Sequence, residues 1–163
     1  MARVYVSIGT NIDRARHVRA ALDALSATYG PLQCSPVYET AAVGFEGDDF
    51  YNLVVGFDTD ASPAEVAARL HAIEDDNDRM RTGPRFSART LDLDLLLYDD
   101  LVLEEGRLQL PRDEITRHAF VLKPLADIAG ERRHPLTGKT YAQLWAEFDA
   151  AGQAIRAVEL PCR

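Results

Sequence analysis

Cysteine is nearly absent: Cys34 and Cys162 are the two in 163 residues. They form no Cys-x-x-Cys and no Cys/His ligand pattern, which excludes a disulfide framework and a structural zinc site; both read as reduced thiols. His71, His118 and His134 fit no zinc spacing either. No apolar run approaches the roughly 20 residues of a membrane span. No charged leader followed by an apolar segment opens the chain, so a cytoplasmic protein without a membrane partner is expected. An excess of positive charge is also missing. The formal net charge is -8, the wrong sign for a general nucleic-acid binder. The chain carries neither GxxxxGK[ST] nor the glycine-loop set of protein kinases, so phosphoryl transfer here needs another architecture. What is present is a 47% hydrophobic composition with no repeat or low-complexity tract. That favours one domain spanning residues 1–163, expected as a monomer.

Val4, Val6 and Ile8 alternate with Tyr5 and Ser7 as a first strand, ending at Gly9-Thr10-Asn11. Val18, Ala21, Leu22 and Leu25 follow helical spacing, and Tyr29-Gly30-Pro31 stops that helix. Residues 33–39 and 51–58 read as strands, joined by a loop over 41–49. Ser62-Pro63-Ala64-Glu65 is a capping box with proline at the first helical position, and the helix it opens buries Val66, Leu70 and Ile73. Residues 79–89 contain Gly83-Pro84 and read as a loop. Residues 91–98 form a fourth strand, and 108–110 a short extended piece. Thr116 is expected to cap a short helix through Phe120 and Val121. Thr140, with Gln143 three residues on, caps a last helix burying Leu144, Trp145 and Phe148. The order strand, helix, strand, strand, helix, strand predicts an α+β, ferredoxin-like fold: an antiparallel sheet with helices packed on one face.

Side chains alternate along a strand, so Asp92 and Asp94 share a face, with Cα atoms about 6.6 Å apart. Leu91, Leu93, Leu95 and Leu97 take the other face, while Leu96 and Tyr98 follow the aspartates. A lone Asp-x-Asp is commonly the solvated face of an edge strand. Here the face turns apolar, and two carboxylates beside buried residues cost free energy unless a cation or donor compensates. Carboxylates this close can bridge two Mg2+ ions roughly 4 Å apart, a spacing used in phosphoryl chemistry. Arg79, Arg81, Arg85 and Arg89 precede them in a stretch without Asp or Glu, just after Glu74, Asp75, Asp76 and Asp78. A charge run is usually just solvated. These arginines feed directly into the aspartate strand, however, and guanidinium groups bind phosphate oxygens bidentately. Together they describe a site for a nucleoside triphosphate, with the Gly83 loop closing over ATP.

The motif Arg89-Thr90-Leu91-Asp92-Leu93-Asp94 resembles the core of the 6-hydroxymethyl-7,8-dihydropterin pyrophosphokinase family. Ile8-Gly9-Thr10-Asn11 is similar to that family's Ile-Gly-Ser-Asn. Tyr38-Glu39-Thr40 through Val43-Gly44 is similar to its Tyr-x-Thr-Pro-Pro-x-Gly loop, and Phe50-Tyr51-Asn52 to its aromatic-x-Asn segment. Pro111 and Ala119 through Leu125 resemble its Pro…Phe-Val-Leu-x-Pro-Leu block. The pieces arise in the family's order over most of the chain. The resemblance implies a ferredoxin-like fold and attack of the pterin hydroxymethyl oxygen on the β-phosphorus of ATP, releasing AMP. It implies two Mg2+ ions on Asp92 and Asp94, and Arg79, Arg81 and Arg89 on the phosphates, with Arg79 and Arg89 acting in catalysis. It places Glu74, Leu95, Arg107 and Arg112 on the nucleotide side. It implies a pterin pocket of Gly9, Thr40, Val43, Phe50, Asn52 and Phe120, in which Phe50 and Phe120 sandwich the ring and the Asn52 amide meets its edge. Without the resemblance, both phenylalanines read as core.

The chain departs from the family pattern at Ala41 and Ala42 (prolines), Phe86 (tryptophan), Ser87-Ala88 (Gly-Pro), Arg112 (histidine) and His118 (arginine). A paralogue acting on a related pterin and a non-catalytic pterin-binding module are the alternatives these changes keep open. Nucleotidyl transfer, which releases pyrophosphate instead of AMP, also uses paired aspartates, but the acidic charge counts against a nucleic-acid groove.

Overall fold

A computed structural model describes residues 1–41, 49–78 and 91–160. Five strands form an antiparallel ladder in the order β5 (Asp92–Tyr98), β1 (Ala2–Thr10), β4 (Phe50–Thr59), β3 (Val37–Thr40), β8 (Ile155–Val158). The short β2 (Gln33–Cys34) also pairs with β4, and β6 (Leu103–Glu105) pairs with β7 (Leu108–Leu110) in a separate ribbon. This is the ferredoxin-like α+β arrangement with an added edge strand.

Helices cover both faces of the sheet, not one. α1 (Arg14–Tyr29) and α2 (Pro63–Asp78) bury Val18, Leu22, Leu25, Val66, Leu70 and Ile73 against Ile8, Leu53, Val55 and Phe57. On the other side α3 (Ala119–Ala129) and α4 (Tyr141–Glu147) bury Val121, Leu122, Leu125 and Tyr141 against Tyr5, Val54 and Leu96. The β4 run Leu53-Val54-Val55 is apolar on consecutive positions because each face has its own core.

The punctuation acts as its chemistry requires. Gly30 ends α1 at φ 83°, its N–H reaching Ser26 O at 2.9 Å. The Ser62–Glu65 capping box is reciprocal, with Glu65 N donating to Ser62 Oγ at 3.2 Å and Ser62 N to Glu65 Oε1 at 2.8 Å. Thr140 and Gln143 cap α4 in the same way.

Several expectations are corrected. The strand expected over 33–39 is broken at Ser35-Pro36. Proline has no N–H for the ladder, so Ser35 supplies both its own N–H to Val54 O and its hydroxyl oxygen to Val54 N, each at 2.9 Å. A register shift between Tyr5 and Val6, opposite Leu95 to Leu97, ends the alternation of β5. Leu97 therefore joins Leu96 on the α3 side, and Tyr98 turns to the α2 side, where its hydroxyl donates to Ala61 O at 2.6 Å. Thr116 caps no α-helix. It ends a 3-10 turn over Asp113–Thr116, and α3 starts after His118. In α4 Tyr141 is fully buried, whereas Leu144, Trp145 and Phe148 are only partly covered. Cys34 is disulfide-bonded rather than a reduced thiol, and Cys162 lies outside the described residues. Among the described residues no helix is long and apolar enough to cross a membrane.

Candidate active site

The strand β5 lies at the end of the sheet order, so one of its backbone edges is open to other partners. Glu74, projecting from α2, accepts the Leu93 N–H on that edge at 2.8 Å. Further along, the Arg112 N–H takes Leu96 O at 3.0 Å. These two bonds draw α2 and the segment after β7 to the strand that carries Asp92 and Asp94. Both aspartates are half-buried and face the same side, since Asp92 pairs with Gly9 and Asp94 with Ser7. The Arg112 guanidinium lies 3.3 Å from Asp94 Oδ1 and 3.0 Å from Glu114 Oε1. Burial opposes its charge, but Asp94 and Glu114 more than compensate and hold its pKa above the ordinary value. Burial pushes the Glu74 carboxyl up to about 7; the Leu93 N–H opposes that rise, and Asp92 and Asp94 add to it. His71 Nδ1 stands 3.2 Å from Glu74 Oε1 on the exposed side.

A second feature lies two strands away in the same row. Gly9 pairs with Asp92 on one side and with Asn52 on the other, so these positions share one face. At about 4.8 Å per strand, Asp92 and Asn52 are roughly 10 Å apart across the glycine. A Cβ on Gly9 would stand 3.0 Å from Asn52 Oδ1 and 3.9 Å from Phe50 Cδ2, so the missing side chain lets the Asn52 amide lie close against the β1 backbone. Asn52 Nδ2 donates to Thr40 Oγ1 at 2.7 Å, and both residues are buried. Phe120, in the first turn of α3, is partly covered by the core on this face, and the His118 ring stacks on it at 4.8 Å. Pro124 has no N–H to give the Phe120 carbonyl four residues back.

The structure thus brings Glu74, Asp92, Asp94 and Arg112 together at the β5 edge. Gly9, Thr40, Phe50 and Asn52 gather beside them. It does not bring in the Leu95 side chain, which is buried in the core on the α1–α2 side. Arg107 is exposed in the β6–β7 turn. Val43, Arg79, Arg81, Arg85 and Arg89 lie outside the described residues. Among the described residues no three acidic, histidine or cysteine side chains group closely enough to hold a metal by themselves.

Sequence reading missed three contacts here. Glu114 orients Arg112 from two residues away, a spacing legible in Arg112-Asp113-Glu114. Tyr38 donates its hydroxyl to Asp127, which also takes Lys123 Nζ at 2.6 Å, and burial with that carboxylate pushes the phenol pKa up. Arg14 reaches Glu39 Oε2 at 2.7 Å and Asp49 O at 3.1 Å. The last two span distant segments and leave no local pattern to read.

The fold and this edge-strand site define a ferredoxin-like α+β protein with a carboxylate pair beside a buried amide pocket. The family model described as 7,8-dihydro-6-hydroxymethylpterin-pyrophosphokinase (HPPK) matches residues 5–130. The chain is 38% identical over 137 residues to the 2-amino-4-hydroxy-6-hydroxymethyldihydropteridine pyrophosphokinase of Pseudomonas aeruginosa, covering 82% of this chain and 84% of the relative. It is 33% identical to the enzyme of that name from Methylorubrum extorquens, covering 93% and 97%. In fold it is similar to the solved Plasmodium falciparum HPPK-DHPS wild type with SDX-DHP, with TM-score 0.71 at 16% identity over 90% of this chain. It spans 43% of that longer protein. The chain belongs to the HPPK family, the pyrophosphokinases that move pyrophosphate from ATP to hydroxymethyldihydropterin in folate synthesis.

Proposed function

We propose that the open edge of β5 and the face that carries Gly9, Asn52 and Phe50 form one site, in a single domain over residues 1–163, where ATP and the pterin meet. The observation that carries this reading is the row Asp92–Gly9–Asn52, which sets a carboxylate and a buried amide on one face.

Asn52 is held by Thr40, which leaves Oδ1 to accept from the pterin edge. Phe50 and Phe120 take the two faces of the ring. Gly9 allows close approach at the floor, and Val43 completes the pocket. Arg112 meets a phosphate, with Arg79, Arg81 and Arg89 as its partners. Arg79 and Arg89 stabilise charge developing on the transferred group. Glu74 holds the edge of β5 through Leu93 and sets the direction of Asp92. Period two along the strand places the Leu95 backbone on the same outer edge as Leu93, so that residue meets the nucleotide through its main chain. Arg107 supplies charge on the nucleotide side.

Two half-buried carboxylates, with no third close carboxylate, histidine or cysteine ligand among the described residues, fit Mg2+, which binds through one or two carboxylates plus substrate phosphates. Asp92 and Asp94 would hold the ions, which neutralise phosphate charge when bound. In the transfer, the hydroxymethyl oxygen forms a bond to the β-phosphorus, the bond from that phosphorus to the α–β bridging oxygen breaks, and AMP leaves. The hydroxyl proton passes to solvent, since positioning and charge supply most of phosphoryl catalysis. The protein acts in the cytoplasm, as a monomer.

The test is product analysis with purified protein, Mg2+-ATP and 6-hydroxymethyl-7,8-dihydropterin. Equal amounts of AMP and pyrophosphorylated pterin are expected. Pyrophosphate release, or pterin binding without AMP, would overturn the reading.

A further inference from the structure

We infer that Gln153 and Arg156, beyond the residues 5–130 that match the family model, are positioning residues for the pterin pocket. The inference rests on the pterin reading above. Gln153 Oε1 accepts from Ala119 N at 2.9 Å, and its Nε2 donates to Arg117 O at 3.3 Å. Ala119 opens α3, and its N–H is one of those a helix start leaves unpaired. His118, at the N-cap, makes no capping bond with its side chain; its ring stacks on Phe120 instead. Gln153 therefore performs, from 34 residues away, the task of an N-cap, one residue before Phe120. A turn bond from Gln153 N to Ala150 O at 2.9 Å holds it there.

Two residues on, β8 begins. Ile155 pairs with Thr40, and Arg156 pairs with Glu39 through both the register and a guanidinium–carboxylate bond. Glu39 also receives Arg14, whose guanidinium lies 4.2 Å from the Tyr51 ring centroid and donates to Asp49 O, next to Phe50. The stretch 153–156 thus ties both flanks of the pocket: the helix bearing Phe120 and the β3–β4 pair bearing Thr40 and Phe50. Glu39 and Tyr51 pair across the ladder one position from Thr40 and Asn52, so they face the opposite side of the sheet. These groups act on the pocket's walls and do not touch the ring. Without β8, the strand β3 would be a sheet edge, and its end beside the pocket would open more readily.

The test uses the full chain with Q153A and Q153E. The probes are 6-hydroxymethyl-7,8-dihydropterin by fluorescence titration and Mg2+ with α,β-methylene-ATP. Q153A is expected to raise the dihydropterin Kd about tenfold, the effect of losing a helix cap, and to leave the nucleotide Kd within about twofold. Q153E keeps an acceptor for Ala119 N and is expected to restore most of the dihydropterin affinity. An unchanged dihydropterin Kd in Q153A, or equal loss for both ligands, overturns the inference alone. A parent protein that binds no dihydropterin overturns the pterin reading and the inference with it.

Discussion

A methyl group built on Gly9 would stand 3.0 Å from Asn52 Oδ1, a separation tighter than most real contacts. The backbone of Gly9 is ordinary strand, so its role is space and not an unusual φ. Gly9→Ala is therefore expected to fold, losing about 1–3 kcal/mol from local crowding. Its dihydropterin Kd should rise about tenfold or more while nucleotide affinity holds. Parallel titrations with each ligand check this, and parental pterin affinity would show that Gly9 is not the pterin floor.

Asp94 pairs with Arg112 at 3.3 Å, and each side chain keeps about a quarter of its surface in solvent. An ion pair that wet contributes at most about 1 kcal/mol to stability. Asp94→Ala should leave the thermal midpoint nearly unchanged and lower Mg2+-dependent turnover by about 10²–10³-fold or more. Calorimetry beside the AMP-release assay separates the two effects, and normal activity would remove the metal assignment.

His134 lies under the turn after α3, where its Nδ1 accepts from Leu136 N at 3.1 Å and from Thr137 N at 3.3 Å. Both bonds require a neutral ring, and burial holds its pKa below the ordinary value. A histidine whose folded pKa is depressed contributes stability that is full above its unfolded pKa of about 6.5. That contribution is lost as pH falls through the folded value. Over pH 8 to 5 the Glu74 carboxyl, pushed up to about 7, gains stability as pH falls and so works in the opposite sense. The His134 contribution is therefore read as a difference, and the denaturant midpoint of the parent should drop toward acid relative to that of His134→Asn, whose amide oxygen still accepts. Equal slopes would show that another group carries the acid sensitivity.

Much of the site was legible because its chemistry is local. Asp92 and Asp94 share a face by strand period alone, and Ser62–Glu65 and Thr140–Gln143 announce their helices through reciprocal bonds between near neighbours. Gly9, Asn52 and Phe120 were named through family resemblance, since a lone glycine or phenylalanine has no period to read. Leu97 and Tyr98 went the other way. Their faces depend on a register shift set by the partner strand β1, which no property of residues 91–98 encodes. Helices on both sheet faces were equally hidden, because the β4 run Leu53-Val54-Val55 reads as buried without saying by what.

The sequence by itself determined the alternation that pairs the aspartates, the caps and stops of the helices, and the charge that disfavours a nucleic-acid partner. Only the tertiary structure decided that Gly9 lies between Asp92 and Asn52, that Glu74 and Arg112 converge on the open edge of β5, and that Gln153 caps α3. Each joins residues tens of positions apart, and such contacts follow from sheet order and register, which are fixed when both cores close against the strands.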